Sequence, residues 1–318
     1  MLLRLKKVVS NSFDFGQIEK DHYIVQGYTV ANNDFVVTAY SKLSSFKRKL
    51  GFKERNSRVY FFDFTTGILT GLITLNHHAH VGGVAYDDLH DTLYVTGARG
   101  KIHTYSYGRM KQAMVKDRRT SLLKLDLSSI DISSIVISNH GISIRSRDAL
   151  NAIVSAATIC YFNQTLYVAT CSEVGSLVAY SLEYSSDDRE VKVMPKVISR
   201  NLPAAIQGLA IYEKGSKRYL ILSQSCGGAV SAIKKYEFSN GLLTFVGQEI
   251  VDIPGMEGIF VDSFGNITAV FEHSLTTSYV THVDRLIEDI DFTLEDKFIA
   301  GGIRNQRRVE NNTRNHKK

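Results

Sequence analysis

Cysteine is scarce in this chain, and the familiar catalytic motifs are missing. Cys160, Cys171 and Cys226 are an odd number without CxxC spacing, which excludes a disulfide framework and a cysteine-based zinc site. No run of about 18 or more apolar residues occurs, so no transmembrane helix is predicted. A P-loop, a Rossmann glycine fingerprint, an HExxH helix and a GxSxG elbow are also lacking, so the sequence indicates none of the classes that these motifs mark.

Net charge is lacking outside the C-terminal segment. Of the net charge of +6, residues 304–318 carry +5, from six basic residues against Glu310. The rest of the chain is nearly neutral. This argues against binding to duplex nucleic acid, because a protein needs a basic face for such binding. We predict a single domain over residues 1–303 and a basic, disordered tail over residues 304–318. The chain is expected to be soluble, either cytoplasmic or secreted after removal of a signal peptide.

A repeat is present, and it predicts the fold. Two short apolar strands flank a polar turn in five segments, which begin at Gln26, Val81, Ala156, Gln207 and Glu257. A second, more amphipathic pair of strands follows, clearest over residues 57–75 and 231–253, with Thr-Gly or Asn-Gly at the turn. Four strands per repeat are typical of a β-propeller blade. The longest step between repeats indicates an insertion before Ala156.

We therefore predict an all-β, five-bladed β-propeller of four-stranded antiparallel blades. The residues before Gln26 are expected to supply a strand that closes the ring against the last blade, because closure removes an exposed sheet edge. A sixth blade would have to come from residues 1–25 and 285–318, which lack the hairpin pattern.

The repeats resemble known propeller families. The segment VGGVAYDDLHDTLYVTGARGKIHTYS, from Val81, resembles blades of the NHL, regucalcin-like lactonase and strictosidine-synthase-like propellers. The Gln-Gly or Glu-Gly pairs at Gln26, Gln207 and Glu257 resemble the inner strands of five-bladed plant-type glutaminyl cyclases, and the HVGG strand is similar to uncharacterised bacterial propellers. The lactonase resemblance implies a divalent cation, Ca²⁺ or similar, acting as a Lewis acid in the channel. Since such blades recur in enzymes and in scaffolds, the resemblance speaks mainly to fold.

Propeller geometry predicts where a site lies. In each blade the start of the innermost strand and the end of the second strand lie on the same face. Gln26, His80, Gln207 and Glu257 are placed at such starts, and Ser225 and Glu272 at such ends. The loop over residues 42–58, residues 76–80 and the insertion reach the same face, and they carry many basic residues. A basic surround favours a small anionic ligand, such as a carboxylate, a phosphate or an acidic sugar.

These residues suggest two classes of function. Glu257 and Glu272 either divide acid and base roles or hold a metal ion, and His80 is a candidate general base. Ligand contacts are predicted for six further residues: Gln26, Gln207, His78, Ser225, Arg145 and Arg147. On an extended chain His78 and His80 share a face, whereas His77 points away. The first class is a metal-assisted, lactonase-like hydrolase or lyase, and the alternative is a non-enzymatic scaffold that binds a peptide, a protein or a glycan.

Overall fold

The computed structural model describes most of the repeat region of the chain. The described residues are 15–41, 43, 49–97, 102–116, 123–126, 156–170, 174–184, 191–225, 230–239, 241–272 and 278–286. They form five antiparallel blades in a ring, with few helices, which confirms the predicted all-β, five-bladed propeller. No helix among these residues is long and apolar enough to cross a membrane.

Three blades have the predicted four strands in simple sequential order. The first blade contains β1 (Tyr23–Ala31), β2 (Asp34–Ser41), β3 (Arg58–Asp63) and β4 (Leu69–Thr74). The third contains β10 (Ala156–Phe162), β11 (Thr165–Thr170), β12 (Gly175–Tyr184) and β13 (Val191–Leu202). The fourth contains β14 (Ile206–Lys214), β15 (Lys217–Gln224), β16 (Ser231–Ser239) and β17 (Leu242–Val251). The hairpins β3–β4 and β16–β17 confirm the two predicted outer pairs.

Two blades show three strands within the described residues. The second contains β5 (Val84–Asp87), β6 (Thr92–Thr96) and β7 (Ile102–Ser106), and the fifth contains β18 (Met256–Val261), β19 (Asn266–Phe271) and β20 (Ser278–His282). After β7 the chain forms helix α2 (Tyr107–Ala113), and the strands β8 (Val115–Lys116) and β9 (Leu123–Asp126) then join the outer edge of the first blade. There β9 runs parallel to β4. The expected fourth strand of the second blade is thus replaced, in the described region, by this excursion.

Burial of apolar side chains explains the excursion. Tyr107, Met110 and Met114 pack into a cluster with the first and second blades. Lys111 adds an ion pair, with its Nζ 2.6 Å from the Asp34 carboxylate at the end of the β1–β2 turn. The helix therefore packs its apolar side chains between the first and second blades.

The inner strands close the ring. β1, β5, β10, β14 and β18 contact one another in that order, and β18 contacts β1. At the junction of the first and last blades, the Tyr28 hydroxyl donates to the Thr268 carbonyl oxygen and lies 2.7 Å from the Thr268 Oγ1. Side chains on an inner strand alternate between the two neighbouring blades: Ile159 and Tyr161 pack with the second blade, whereas Cys160 and Phe162 pack with the fourth. This alternation is the source of the period-two pattern in the sequence.

The segment before β1 is helical where it is described. Helix α1 (Gly16–Lys20) follows Phe15 and leads through a turn into β1. Phe15 and Ile18 pack on the core of the first blade, beside Tyr60 and Phe62. The rest of the predicted closing strand, residues 1–14, lies outside the described residues, as do the insertion over residues 127–155 and the tail over residues 304–318.

Candidate functional site

Small residues at the starts of the inner strands let the strands meet backbone to backbone. A Cβ on Gly27 would lie 2.5 Å from the carbonyl oxygen of Gly82, and a Cβ on Gly82 would lie 2.5 Å from that of Ala157. A Cβ on Gly208 would lie 2.9 Å from the carbonyl oxygen of Glu257, and one on Gly258 would lie 3.2 Å from the Tyr28 nitrogen. Gly27, Gly82, Ala157, Gly208 and Gly258 are called the glycine ring below.

The predicted residues Gln26, Gln207 and Glu257 lie just before the glycine ring. Each lies at a register shift in the pairing of the first two strands of its blade. The shift that contains Gln26 lies between Val25 and Tyr28, that of Gln207 between Ile206 and Gly208, and that of Glu257 between Met256 and Ile259. A β-bulge leaves one residue outside the regular pairing and re-aims its side chain. Because the fourth, fifth and first blades are neighbours in the ring, the three residues lie at one level on consecutive blades. We call Gln26, Gln207 and Glu257 the strand-start mouth.

Burial differs within the strand-start mouth. The Gln26 side chain is 0% exposed; its Nε2 donates to the Val25 carbonyl oxygen at 2.8 Å, and its Oε1 has no hydrogen-bond partner among the described residues. Glu257 is 5% exposed, and Gln207 is partly exposed. A buried acceptor left without a donor costs about 1–3 kcal/mol. The Gln26 Oε1 atom is therefore a place where a donor from a ligand would be favourable.

Ser225 and Glu272 lie at the ends of second strands, as predicted, and their recorded hydrogen bonds serve the fold. The buried Ser225 Oγ accepts from the Gly255 backbone nitrogen at 3.1 Å and from the Ser231 hydroxyl at 3.3 Å. The Glu272 backbone nitrogen donates to the Gly255 carbonyl oxygen at 2.7 Å. Gly255 therefore ties both strand ends to the turn that leads to Glu257.

The histidines separate as their spacing predicts. His78 Nε2 lies 3.1 Å from the Ser41 carbonyl oxygen and 3.3 Å from the Glu54 carboxylate, so residues 76–80 and the loop after β2 lie together on one rim. The ring of the exposed His80 contacts the Tyr40 ring, with centroids 4.9 Å apart and planes inclined by 46°. His77 turns to the other side and stacks on His103 at 4.2 Å.

The environment of His77 suppresses its charge. Burial, together with the neighbouring imidazoles of His103 and His78, lowers the pKa of His77 to about 4. His77 is therefore neutral at physiological pH, and its ring is stacked on that of His103.

Some of the basic side chains of the rim make contacts within the protein, so they are less available to a ligand. The Arg55 and Arg58 guanidinium groups lie over the Tyr23 ring, 4.8 Å and 4.5 Å from its centroid, and Arg58 also binds Asp21. These two cations thus serve the packing of β1 against the turn after α1. The predicted contacts Arg145 and Arg147 lie outside the described residues.

A metal site is not assembled in the described part of the chain. No group of three or more His, Cys, Asp or Glu side chains among these residues is placed to hold a metal ion. Glu257 and Glu272 offer the oxygen atoms that Ca²⁺ prefers, but a calcium site takes about six to eight such ligands. The described residues therefore do not make a cation site, and the proposed function uses none.

The structure contains a cavity that the sequence pattern did not predict. Beyond the glycine ring, on the side away from the strand-start mouth, the channel widens into a cavity of about 420 Å³ lined by residues of all five inner strands. We call it the inner-turn cavity, because its lining runs to the turns between first and second strands. The Tyr and Phe residues of this lining have the strand spacing of core residues, so the sequence pattern alone does not indicate a cavity.

Comparison with known proteins finds distant similarity to solved structures. No family model and no curated protein matches the chain. The chain is similar to Myxococcus xanthus glutaminyl cyclase, with 12% identity, a TM-score of 0.45 and coverage of 84% of this chain and 93% of that one. It is also similar to the Dos1 propeller, with 11% identity, a TM-score of 0.33 and coverage of 77% and 55%. A chain of the mitotic checkpoint complex has 9% identity, a TM-score of 0.38 and coverage of 80% and 76%.

Proposed function

We propose that the protein binds a small hydroxylated ligand, a sugar or a sugar acid, at the strand-start mouth. The observation that carries this proposal is the fully buried Gln26 side chain, whose Oε1 lacks a partner among the described residues. Gln26 Oε1 and the Glu257 carboxylate are acceptors, and Gln207 adds both an acceptor and donors. Acceptors at this density favour a ligand rich in O–H donors. A carboxylate on that ligand is the anionic feature that the basic loops predict.

Binding of D-glucuronate, followed by calorimetric titration, tests this proposal. Gln26→Met and Glu257→Gln are each expected to weaken binding by about tenfold or more, because each removes a buried hydrogen-bonding group. Gln248→Met, on the outermost strand of the fourth blade, is the matched control and should leave the affinity unchanged. Native mass spectrometry of the purified protein identifies any sugar that is carried through purification. A protein that binds neither D-glucuronate nor a co-purified sugar would overturn the proposal.

A hydrolase is the catalytic form of the same proposal. The observation that favours it is the burial of Glu257, because a carboxylate held at a mouth of the channel can accept a proton from a water that attacks a lactone carbonyl. His80 is exposed and in contact with the Tyr40 ring, which makes it the weaker candidate for the base. Hydrolysis of D-glucono-1,5-lactone, followed by acid release, should then fall to the uncatalysed rate in Glu257→Gln. An unchanged rate in that variant would refute this form.

The non-enzymatic scaffold is supported by a different observation. Leu50 and Phe52, in the loop between β2 and β3, are 60% and 61% exposed, beside Lys49 and Lys53. Exposed apolar side chains within a basic loop suit a protein or glycan partner on the rim. Leu50→Ser with Phe52→Ser would then abolish capture of the partner while D-glucuronate binding persists, which separates the two functions.

A further inference from the structure

The inner-turn cavity is distinct from the strand-start mouth. Its lining begins with the residues that follow the glycine ring, among them Tyr28, Leu209 and Ile259, and it ends at residues near the inner turns, such as Glu213 and Ser263. Gln26, Gln207 and Glu257 are not part of this lining. The glycine ring lies in sequence between these two sets of residues, and a ligand held only by the residues of the cavity lining would not touch the strand-start mouth. A volume of about 420 Å³ lies in the range of pockets for small molecules, roughly 300–1,000 Å³.

Every blade contributes an aromatic residue to the lining of the cavity. These residues are Tyr28, Tyr86, Tyr161, Phe162, Tyr212 and Phe260. The Tyr28 and Phe260 rings meet across the junction of the first and last blades, with centroids 6.3 Å apart and planes inclined by 50°. Aromatic faces carry negative electrostatic potential and attract organic cations. Burial, together with Asp91, raises the pKa of Tyr86 to about 12, which keeps that phenol neutral.

The charged side chains of the lining are both acidic. They are Glu213 and Asp262, and the lining contains no lysine or arginine. Glu213 is already bound to Arg218, whose Nε lies 2.7 Å from its carboxylate. Asp262, 2% exposed, accepts hydrogen bonds from the Phe264 nitrogen, the Asn266 nitrogen and the Asn266 side-chain amide, all of which are uncharged donors. Asp262 therefore places carboxylate oxygens without a cationic partner in these hydrogen bonds at the wall of the cavity, where a cation would be attracted.

We propose that the inner-turn cavity binds a small organic cation, an amine or a quaternary ammonium with an apolar body. The aromatic rings of the five blades contact the cationic head and the apolar body, and Asp262 provides the compensating charge. The exposed side chains of Leu89 and Phe264, on the inner turns of the second and fifth blades, provide an apolar approach from that face. This binding site is independent of the ligand proposed for the strand-start mouth.

Cys160 provides a reporter for the test, because it lines the cavity. Burial raises the pKa of its thiol to about 11, so the reagents are used in excess at mildly alkaline pH, where more of the thiolate is present. With Cys171 and Cys226 replaced by serine, Cys160 becomes the single thiol of the chain. Two methanethiosulfonate reagents of similar size, one carrying a trimethylammonium group and the other a sulfonate, are compared. In each case the thiolate attacks the reagent's sulfenyl sulfur, a mixed disulfide forms and methanesulfinate leaves. Both rates are divided by the rates with free glutathione under the same conditions.

We expect the normalised rate of the cationic reagent to exceed that of the anionic reagent by about tenfold. Asp262→Asn should lower this ratio at least threefold, whereas Glu237→Gln, whose carboxylate binds Lys217 on the outside of the fourth blade, should leave it unchanged. Benzyltrimethylammonium chloride should slow the modification of Cys160, and sodium benzenesulfonate at the same concentration should not. Phe260→Leu, which keeps an apolar side chain, should reduce that protection at least threefold.

The opposite results would overturn the proposal. Equal normalised rates, a faster anionic reagent, or no protection by benzyltrimethylammonium would each show that the cavity does not select an organic cation. Because D-glucuronate binding depends on Gln26 and Glu257 and is measured separately, failure here leaves the function proposed for the strand-start mouth unaffected.

Discussion

At the scale of single residues, buried polar groups differ in whether the protein itself satisfies their hydrogen bonds. Ser225 and Thr38 are buried, and their hydroxyls are hydrogen-bonded within the protein. Gln26 is equally buried, yet its Oε1 has no partner among the described residues. His77 is a third case, in which burial is tolerated because the imidazole stays neutral.

The lowered pKa of His77 predicts a loss of stability in mild acid. The pKa is about 4 in the folded chain, against the ordinary value of 6.5. As the pH falls below 6.5, the unfolded chain therefore binds this proton before the folded chain does, and stability is lost down to about pH 4. Between pH 7 and pH 5 the contribution of His77 to the free energy of unfolding should fall by about 2 kcal/mol.

Urea unfolding at pH 7 and at pH 5 measures this loss. His77→Gln should remove that part of the pH dependence, whereas His78→Gln should retain most of it, because burial and not the His78 imidazole is the first cause of the lowered pKa of His77. A His77→Gln variant with the full pH dependence of the parent would show that other groups are responsible.

The sequence predicted the positions of the mouth residues better than their environment. Gln26, Gln207 and Glu257 were found because each precedes a glycine in a repeated pattern. The bulges that carry them depend on strand pairing, and the neutral stack of His77 on His103 joins residues from separate strands. Such contacts follow from the way the blades pack against one another, which no local sequence pattern encodes.

At the scale of elements, the inner strands are defined by close backbone contact at the glycine ring. We expect Gly27→Ala to cost about 3 kcal/mol, the upper part of the range for overpacking, because its Cβ would meet the Gly82 carbonyl and not a movable side chain. Gly215→Ala is the control for backbone strain without a steric clash. Gly215 has φ +61° and no atom within 4 Å of an added Cβ, so this substitution should cost about 1 kcal/mol.

Chemical unfolding of both variants compares these costs. Equal losses of stability would mean that the strands can separate at the glycine ring without penalty.

The hairpins were predictable as elements, whereas the excursion after β7 was not. Each hairpin is a local pattern of alternating apolar residues and a turn. By contrast, helix α2 is short, and its buried residues Tyr107 and Met110 give too brief a helical pattern to recognise. The parallel pairing of β9 with β4 joins residues about 50 positions apart in sequence, and nothing in either segment specifies the other.

At the scale of the whole molecule, the ring is held closed where the first blade meets the last. The Tyr28 hydroxyl binds the carbonyl and approaches the hydroxyl of Thr268, a residue 240 positions away. Burial raises the pKa of Tyr28, partly offset by its hydrogen bonds, so the phenol remains a donor. The closing contact is thus a neutral, buried one, independent of salt.

Tyr28→Phe should lower the free energy of unfolding by about 1–3 kcal/mol, because it leaves buried Thr268 acceptors without their donor. Tyr105→Phe is the matched control, since the buried Tyr105 hydroxyl has no hydrogen-bond partner among the described residues, and we expect it to be neutral or stabilising. Thermal and urea unfolding measure both variants. A smaller loss for Tyr28→Phe than for Tyr105→Phe would contradict closure through Tyr28.

The separation of the two proposed sites has a consequence for how the molecule responds to more than one compound. The strand-start mouth and the inner-turn cavity share no lining residue, so a compound bound at one does not occupy the other. Two compounds bound at opposite ends would therefore not compete, and their stabilisation of the folded chain would add. A screen that measures displacement of one probe from the strand-start mouth would therefore miss every ligand of the inner-turn cavity, and the reverse holds for a probe in the cavity.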